Sequence, residues 1–158
     1  NELSQSLNQL RSNGASVLAI ACNTLHAFLD ETDKRDDLVH LPRTVAKEIS
    51  KTEIPLVLCT STSAQFALHQ RFFPCVYPDL KTQKKVDDLI DLILKGLDKQ
   101  IILKQLNTLI QMQSEKTVIL GCTELSLFTS NLSVTDKLII DPLEVMARKI
   151  LEISFSNN

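Results

Sequence analysis

Apolar runs alternate with helical patterns along this chain of 158 residues. Short runs rich in Val, Ile and Leu predict buried strands, and apolar residues at three- and four-residue spacing predict helices between them. The strands are expected at 16–21, 55–59, 117–120 and 138–140, and the most regular helices at 86–94 and 102–110. Strands separated by helices form right-handed crossovers, so the chain is predicted to be an α/β protein with mainly parallel sheets.

Turn and capping residues predict the remaining elements. An opening helix is expected to stop at Gly14, and Pro142 is expected to start the last helix. The hydroxyl-rich turn 60–63 is expected to cap a helix that runs through Arg71. Further expectations are helices starting at 24 and spanning 45–51, a strand at 73–77 and a charged, solvated connection at 30–37.

Composition narrows the class of protein. The net charge of −2 gives no basic surface for nucleic acid or anionic membranes, and six Phe, one Tyr and no Trp offer few rings for stacking bases. No segment has the length of a membrane span, and no secretory signal is recognised. Four cysteines without CxxC spacing predict free thiols in a reducing, cytoplasmic compartment.

Two stretches of the chain resemble each other, one around Cys22 and the other around Cys122. In each, an apolar run and a small residue precede the cysteine, and hydrogen-bonding side chains and a leucine follow it. Each cysteine is therefore expected at the carboxyl end of a parallel strand, where open α/β sheets place their ligand chemistry. The positive end of a following helix is expected to favour the thiolate. Two such cysteines facing each other would form an acid/base pair.

Simpler interpretations exist for each residue alone. Buried cysteines usually serve as small apolar groups, and we keep that interpretation for Cys59 and Cys75. Asn and Thr after a strand commonly cap helices, which would explain either motif by itself. Capping does not explain why the same cysteine-led motif occurs twice.

The residues Ala21-Cys22-Asn23-Thr24 with His26, and Gly121-Cys122-Thr123-Glu124-Leu125, resemble the motifs of the cofactor-independent aspartate/glutamate racemase superfamily. The stretch 56–63, which ends in Thr60 and Ser63, is similar to a further strand and turn of that superfamily. The resemblance covers nearly the whole chain. Glu124 indicates the aspartate or broad-specificity branch, because glutamate racemases typically carry His at that position.

The resemblance implies two Rossmann-like lobes with an active-site cleft between them. Lobe one would take residues 1–51 with 142–158, and lobe two residues 52–141. One cysteine would remove the α-proton of an amino acid while the other donates a proton to the opposite face. The implied substrate-binding residues are Asn23, Thr24, Thr60, Ser63 and Thr123, and the residues implied to orient or tune a cysteine are His26 and Glu124.

The same resemblance implies a small amino-acid or dicarboxylate substrate, no cofactor, no metal and a possible homodimer. Members of the superfamily normally carry a further segment before the first cysteine motif, so lobe one is expected to be truncated at its N-terminus. Two alternatives stay open at this point. One is a diacid isomerase of the same superfamily, and the other is an inactive racemase-like module that binds a small carboxylate or a protein.

Overall fold

The computed structural model describes residues 2–29, 36–50 and 52–156. Most of the connection expected at 30–37, and the last residue of the helix expected at 45–51, lie outside these ranges. The helices and strands are α1 (Glu2–Ser12), β1 (Leu18–Ala19), β2 (Leu38–Val39), α2 (Leu41–Val45), β3 (Leu56–Leu58), α3 (Ser61–Gln65), α4 (Leu80–Leu94), α5 (Lys99–Gln111), β4 (Thr117–Leu120), β5 (Leu138–Ile140) and α6 (Pro142–Ser156). Short 3₁₀ helices lie at Thr24–Phe28, His69–Arg71 and Leu125–Asn131.

All the paired strands in these ranges are parallel, which confirms the predicted α/β class. One sheet pairs β1 with β2, and the other has the order β3-β4-β5 with β4 in the centre. The central strand is apolar on both faces because helices cover both, and Val118, Ile119 and Leu120 are completely buried.

The core joins the two sheets. Val39 and Leu41, next to the small sheet, belong to the same apolar cluster as Val57, Ile119 and Met146 of the larger sheet and α6. The last helix packs against α2 and β2, far from it in the sequence. The division into two lobes stays a prediction, and this shared cluster is what connects the two sheets.

Several boundaries differ from those predicted. The first strand is two residues long and pairs with β2, a strand that was not predicted. The segment 73–77 contributes only a bridge between Val76 and Leu56. The helix expected at 45–51 lies earlier in the chain: it starts at Leu41, with Pro42 in its first turn, and ends at Val45. The helix expected to run through Arg71 breaks at Ala67, whose φ is +48°.

The segments after the two cysteines are 3₁₀ helices rather than α-helices. Periodicity does not distinguish the two over so few residues, because both bury the same apolar positions. In the part of the chain that the structure describes, no helix has the length and apolar content needed to cross a membrane.

Candidate active site

Cys22 and Cys122 line the same cavity, which has a volume of about 160 Å³. Each cysteine follows the carboxyl end of a strand, Cys22 three residues after β1 and Cys122 two residues after β4. The cavity is lined by Cys22, Asn23, Thr24, Thr60, Ile90, Leu94, Gly121, Cys122, Thr123 and Glu124. The topology thus brings together residues that are a hundred positions apart, as expected for strand ends in an α/β fold.

His26 holds the first cysteine motif by its backbone. Its Nδ1 lies 2.8 Å from the carbonyl oxygen of Cys22, and the N–H of Leu41 donates to its Nε2 at 3.2 Å. Since Nε2 accepts, the proton of the neutral ring is on Nδ1 and is donated to the Cys22 carbonyl. Burial lowers the pKa of His26 and so favours this neutral form. His26 therefore joins the Cys22 backbone to the start of α2.

A second imidazole completes the same joint. The N–H of Arg43 donates to Nδ1 of His40 at 3.4 Å, and the rings of His40 and His26 lie with centroids 4.7 Å apart. Burial, with smaller contributions from His26 and Arg43, lowers the pKa of His40 to about 4. The first turn of α2 is thus capped by two neutral histidines, which explains why this helix begins at Leu41.

Asn23 is buried at the cavity wall, and its side chain has no hydrogen-bond partner among the described residues. Its exposure is 3%, and neither Nδ2 nor Oδ1 makes a hydrogen bond within the described residues. It occupies the position before the 3₁₀ helix but its side chain caps nothing. A buried amide without partners is costly, so its donor and acceptor are available to a ligand in the cavity.

Three hydroxyls connect the two sides of the cavity. Thr24 Oγ1 and Ser63 Oγ are 2.8 Å apart, and Thr60 Oγ1 donates to Ser63 Oγ at 3.2 Å. Thr60 also caps α3, because its hydroxyl accepts from the N–H of Ser63 at 3.3 Å. These hydroxyls were predicted from the sequence as substrate contacts, and the structure places them in one continuous cluster.

Glu124 accepts two hydrogen bonds in the second motif. The thiol of Cys122 donates to Oε2 of Glu124 at 2.9 Å, and the hydroxyl of Thr123 donates to the same oxygen at 3.1 Å. The thiol bond is the chief reason that the pKa of Glu124 is lowered. Burial first, and Glu124 second, raise the pKa of Cys122 to about 12.

The backbone N–H of Glu124, just before the following helix, lowers the pKa of Cys122 in the expected direction, but burial and the Glu124 carboxylate outweigh it. Glu124 is the residue directly before this 3₁₀ helix, and its carboxylate accepts a hydrogen bond from the sulfur of Cys122. Both burial and a neighbouring negative charge oppose the ionised thiol. The surroundings of Cys122 thus favour its neutral thiol.

A buried carboxylate anchors the 3₁₀ helix of the second motif. Asp141 accepts from the hydroxyls of Ser126 and Thr129, each at 2.7 Å, and from the N–H of Leu143 at 2.9 Å. The last of these contacts satisfies a free amide in the first turn of α6. Asp141 thus ties the segment after Cys122 to the final helix.

Gly121 lets the second motif approach β3. A Cβ at this position would lie 2.6 Å from Cγ1 of Val57 and 3.0 Å from Cβ of Cys59. Both atoms belong to the strand β3 or its end, which packs closely on β4. A side chain at 121 would therefore require the two strands to separate.

Cys59 and Cys75 are buried as small apolar residues in one core cluster. Burial raises the pKa of both thiols, that of Cys75 to about 11. Neither lines the cavity, in keeping with the interpretation made from the sequence. Within the described ranges, no group of three His, Cys, Asp or Glu side chains is arranged to hold a metal ion.

One face of α4 belongs to the site and was not assigned to it from the sequence. Ile90 and Leu94 line the cavity, while Gln83 and Asp87 contact the turn that carries Thr60. The four positions follow helical spacing, which was the available signal. The spacing indicates a shared face but not what that face contacts.

Comparison with known proteins identifies the family. A family model described as Asp/Glu/hydantoin racemase matches residues 1–150. A search of curated proteins gives no match to this chain.

Solved structures include three close in fold. The Picrophilus torridus aspartate racemase has a TM-score of 0.75 and 20% identity, with 96% of this chain and 68% of that chain covered. A Thermus thermophilus glutamate racemase in complex with β-chloro-D-alanine has a TM-score of 0.72 and 15% identity, with 99% of this chain and 62% of that chain covered. An aspartate racemase homologue from Pyrococcus horikoshii has a TM-score of 0.68 and 26% identity, with 92% of this chain and 70% of that chain covered.

This chain therefore spans between 62% and 70% of the length of these three structures. At 15% and 20% identity, the likeness to the first two concerns the fold alone. The family assignment depends instead on the sequence model, which takes in residues 1–150 of 158. The chain belongs to the Asp/Glu/hydantoin racemase family.

Proposed function

We propose that this chain is a cofactor-independent amino-acid racemase of the aspartate/glutamate type, an isomerase that uses Cys22 and Cys122 as its acid/base pair. The observation that carries the proposal is that the two cysteines, from the ends of two different sheets, line one cavity. Family membership and the racemase fold support the same conclusion. The substrate class is aspartate, glutamate or a related α-amino acid.

The protonation of the second cysteine suggests a direction for the first half-reaction. Cys22, as thiolate, takes the α-proton, and the electron pair of the C–H bond passes into the carboxylate as an enolate. Cys122, whose surroundings favour the neutral thiol, gives its proton to the opposite face of the α-carbon. The product is the mirror-image amino acid, with Cys22 now a thiol and Cys122 a thiolate. The reverse reaction starts from that state.

Neutral donors are proposed to stabilise the enolate. The α-proton of an amino acid is weakly acidic, so hydrogen bonds to the carboxylate must strengthen as its charge grows. The Nδ2 of Asn23 is the foremost candidate, because it is buried beside the cavity and the described part of the chain offers it no acceptor. The hydroxyls of Thr24 and Thr60, which line the cavity, form the second group of candidates, and Thr123 contributes from the other motif. Ser63 does not line the cavity, and its hydroxyl contacts those of Thr24 and Thr60 from behind.

Glu124 and His26 are proposed to act on the two cysteines in different ways. The carboxylate of Glu124 accepts a hydrogen bond from the Cys122 thiol and so keeps Cys122 protonated before it donates its proton to the substrate. His26 contacts the carbonyl of Cys22 and not its sulfur, so it positions the residue through the backbone. Neither side chain needs to exchange a proton with the substrate.

Exchange of the α-proton in D₂O tests the proposal. The protein is incubated with L-aspartate, L-glutamate and neutral amino acids, and deuterium incorporation and optical rotation are followed. We expect both exchange and racemisation in the wild type. The rate of racemisation should fall by about 10³-fold or more in Cys22→Ala and in Cys122→Ala. Cys75→Ala is the matched control, since this cysteine is buried away from the cavity.

Two outcomes would contradict the proposal. Racemisation that survives in either single variant would exclude a two-cysteine mechanism. A folded wild type that exchanges none of these amino acids would exclude the activity, and the alternative of a carboxylate-binding module would replace it.

A further inference from the structure

The turn that carries Thr60 is held on both sides by one face of α4. The side-chain amide of Gln83 donates to the carbonyl oxygen of Cys59 at 2.8 Å, just before Thr60. The carboxylate of Asp87 accepts from the N–H of Ser61 at 2.9 Å, just after Thr60. Gln83 Nε2 also donates to Oδ1 of Asp87 at 3.2 Å, so the two supports are joined to each other.

These contacts lead directly to the hydroxyl cluster. With its neighbours on both sides fixed, Thr60 presents its hydroxyl to the N–H and the hydroxyl of Ser63. Ser63 in turn lies 2.8 Å from the hydroxyl of Thr24 in the first cysteine motif. A displacement of the turn by about a few tenths of an ångström would therefore misplace hydroxyls on both sides of the cavity.

Stability alone does not account for Gln83. The side chain is 8% exposed, and its Oε1 is buried with no hydrogen-bond partner within the described residues. An unsatisfied buried acceptor costs free energy, and an apolar side chain of the same length would avoid that cost. The amide is thus an expensive way to fill the space, but Nε2 supplies two contacts that no apolar group can make.

We infer that Gln83 and Asp87 are positioning residues that fix the Thr60–Ser63 hydroxyls for binding of the substrate carboxylate. The inference rests on the proposed racemase function for its substrate, but the geometry of the turn is independent of turnover. Asp87 acts as a hydrogen-bond acceptor, so its charge is not required. Neither residue touches the substrate, since neither lines the cavity.

Backbone amide NMR of three variants tests the geometry. Gln83→Met keeps the length and removes both hydrogen bonds, Asp87→Ala removes the acceptor, and Asp87→Asn keeps it. We expect the first two to shift the Ser61, Ser63 and Thr24 amide resonances and to speed exchange of the Ser61 N–H by about tenfold or more. Asp87→Asn should resemble the wild type, and so should the matched control Lys84→Met on the exposed side of α4.

Kinetics with L-aspartate supply a second readout. Gln83→Met should raise KM by about tenfold with a smaller change in kcat, because a misplaced carboxylate seat weakens binding first. Its midpoint of urea denaturation should change little, because loss of the unsatisfied Oε1 offsets the donor that the Cys59 carbonyl loses. A purely structural role would lower stability and leave KM unchanged.

The results separate the two proposals. Exchange of the substrate α-proton by the wild type, with unchanged Thr24 and Ser63 amide resonances in Gln83→Met, would overturn the positioning role. Absence of α-proton exchange in the wild type would overturn the racemase function. The amide resonances would still decide whether Gln83 and Asp87 hold the turn.

Discussion

The two cysteine motifs have the same local plan but opposite surroundings. Both cysteines follow a parallel strand and precede a 3₁₀ helix. In both motifs the residue four positions after the cysteine anchors that helix to the start of another helix. In the first motif the anchor is the neutral imidazole of His26, and in the second it is Ser126 bound to the carboxylate of Asp141. The repeated plan thus determines where the sulfurs lie.

The difference between the motifs determines protonation. Two positions after Cys22, Thr24 turns away to Ser63, whereas two positions after Cys122, Glu124 turns back to the thiol. Cys22 is half-buried and Cys122 is buried. The surroundings of the two cysteines therefore differ by one side chain and by depth of burial, as the proposed opposite roles of an acid and a base would require.

The largest expected difference is in thiol reactivity. Burial and the Glu124 carboxylate raise the pKa of Cys122 to about 12, so its reactive thiolate form is disfavoured near pH 8. We expect iodoacetamide to label Cys22 about a hundredfold or more faster than Cys122, because Cys22 is also the more exposed of the two. Peptide mass spectrometry over time measures both rates, and equal rates would contradict the assigned asymmetry.

The residue before each cysteine gives the next largest effect. Gly121→Ala should lower the free energy of unfolding by about 1–3 kcal/mol, because the new Cβ meets Val57 and Cys59. The corresponding residue of the first motif is Ala21, which is exposed, so Ala21→Gly should change stability much less. Urea denaturation of both variants makes the comparison, and a tolerated Gly121→Ala would show that the strands can separate freely.

A smaller effect should follow from removing the charge beside Cys122. Glu124→Gln keeps the shape but removes a negative charge, so the pKa of Cys122 should fall while burial still holds it above the usual range. We expect alkylation of Cys122 to speed up by about tenfold, with Cys22 unchanged. Labelling of Glu124→Gln at several pH values measures the shift, and an unchanged Cys122 profile would mean that burial acts alone.

The smallest effect should be in the pH dependence of stability. Because the folded-state pKa of His26 lies below its ordinary value of 6.5, the unfolded chain binds more protons as pH falls. The stabilisation is complete above pH 6.5 and is lost as pH falls toward the lowered pKa. His26→Gln should therefore flatten the decline in unfolding free energy between pH 7 and 6, by less than about 1.4 kcal/mol for one proton.

Ser126→Ala is the counterpart in the second motif. It removes an anchor without removing a titratable group, so its stability should be lower at both pH values but with the wild-type slope. Equal slopes in wild type and His26→Gln would contradict the assignment of a neutral His26.

The sequence predicted those parts of the fold that repeat a simple period over many residues. The strands β3, β4 and β5 and the helices α4, α5 and α6 lie where apolar spacing places them. The approach of Cys22 and Cys122 to one cavity follows from the parallel topology rather than from any contact visible in the sequence. The roles of the individual site residues remain predictions.

The rest depended on contacts between distant residues. The start of α2 is fixed by two imidazoles, one of them fifteen positions earlier, and no local pattern contains that information. The raised pKa of Cys122 arises from burial and from the rotamer of Glu124, neither of which spacing reveals. The support of Thr60 by Gln83 and Asp87 likewise joins segments more than twenty residues apart.

Asp141 has a consequence for the order in which the site is completed during synthesis. Its carboxylate anchors the segment after Cys122, yet it is translated later than both cysteines and just before α6, which packs on α2 near the first motif. A nascent chain that ends before residue 143 has made both thiols but lacks the Leu143 amide that helps hold Asp141. The surroundings of the two sulfurs are therefore complete only after α6 has been synthesised and has packed on α2.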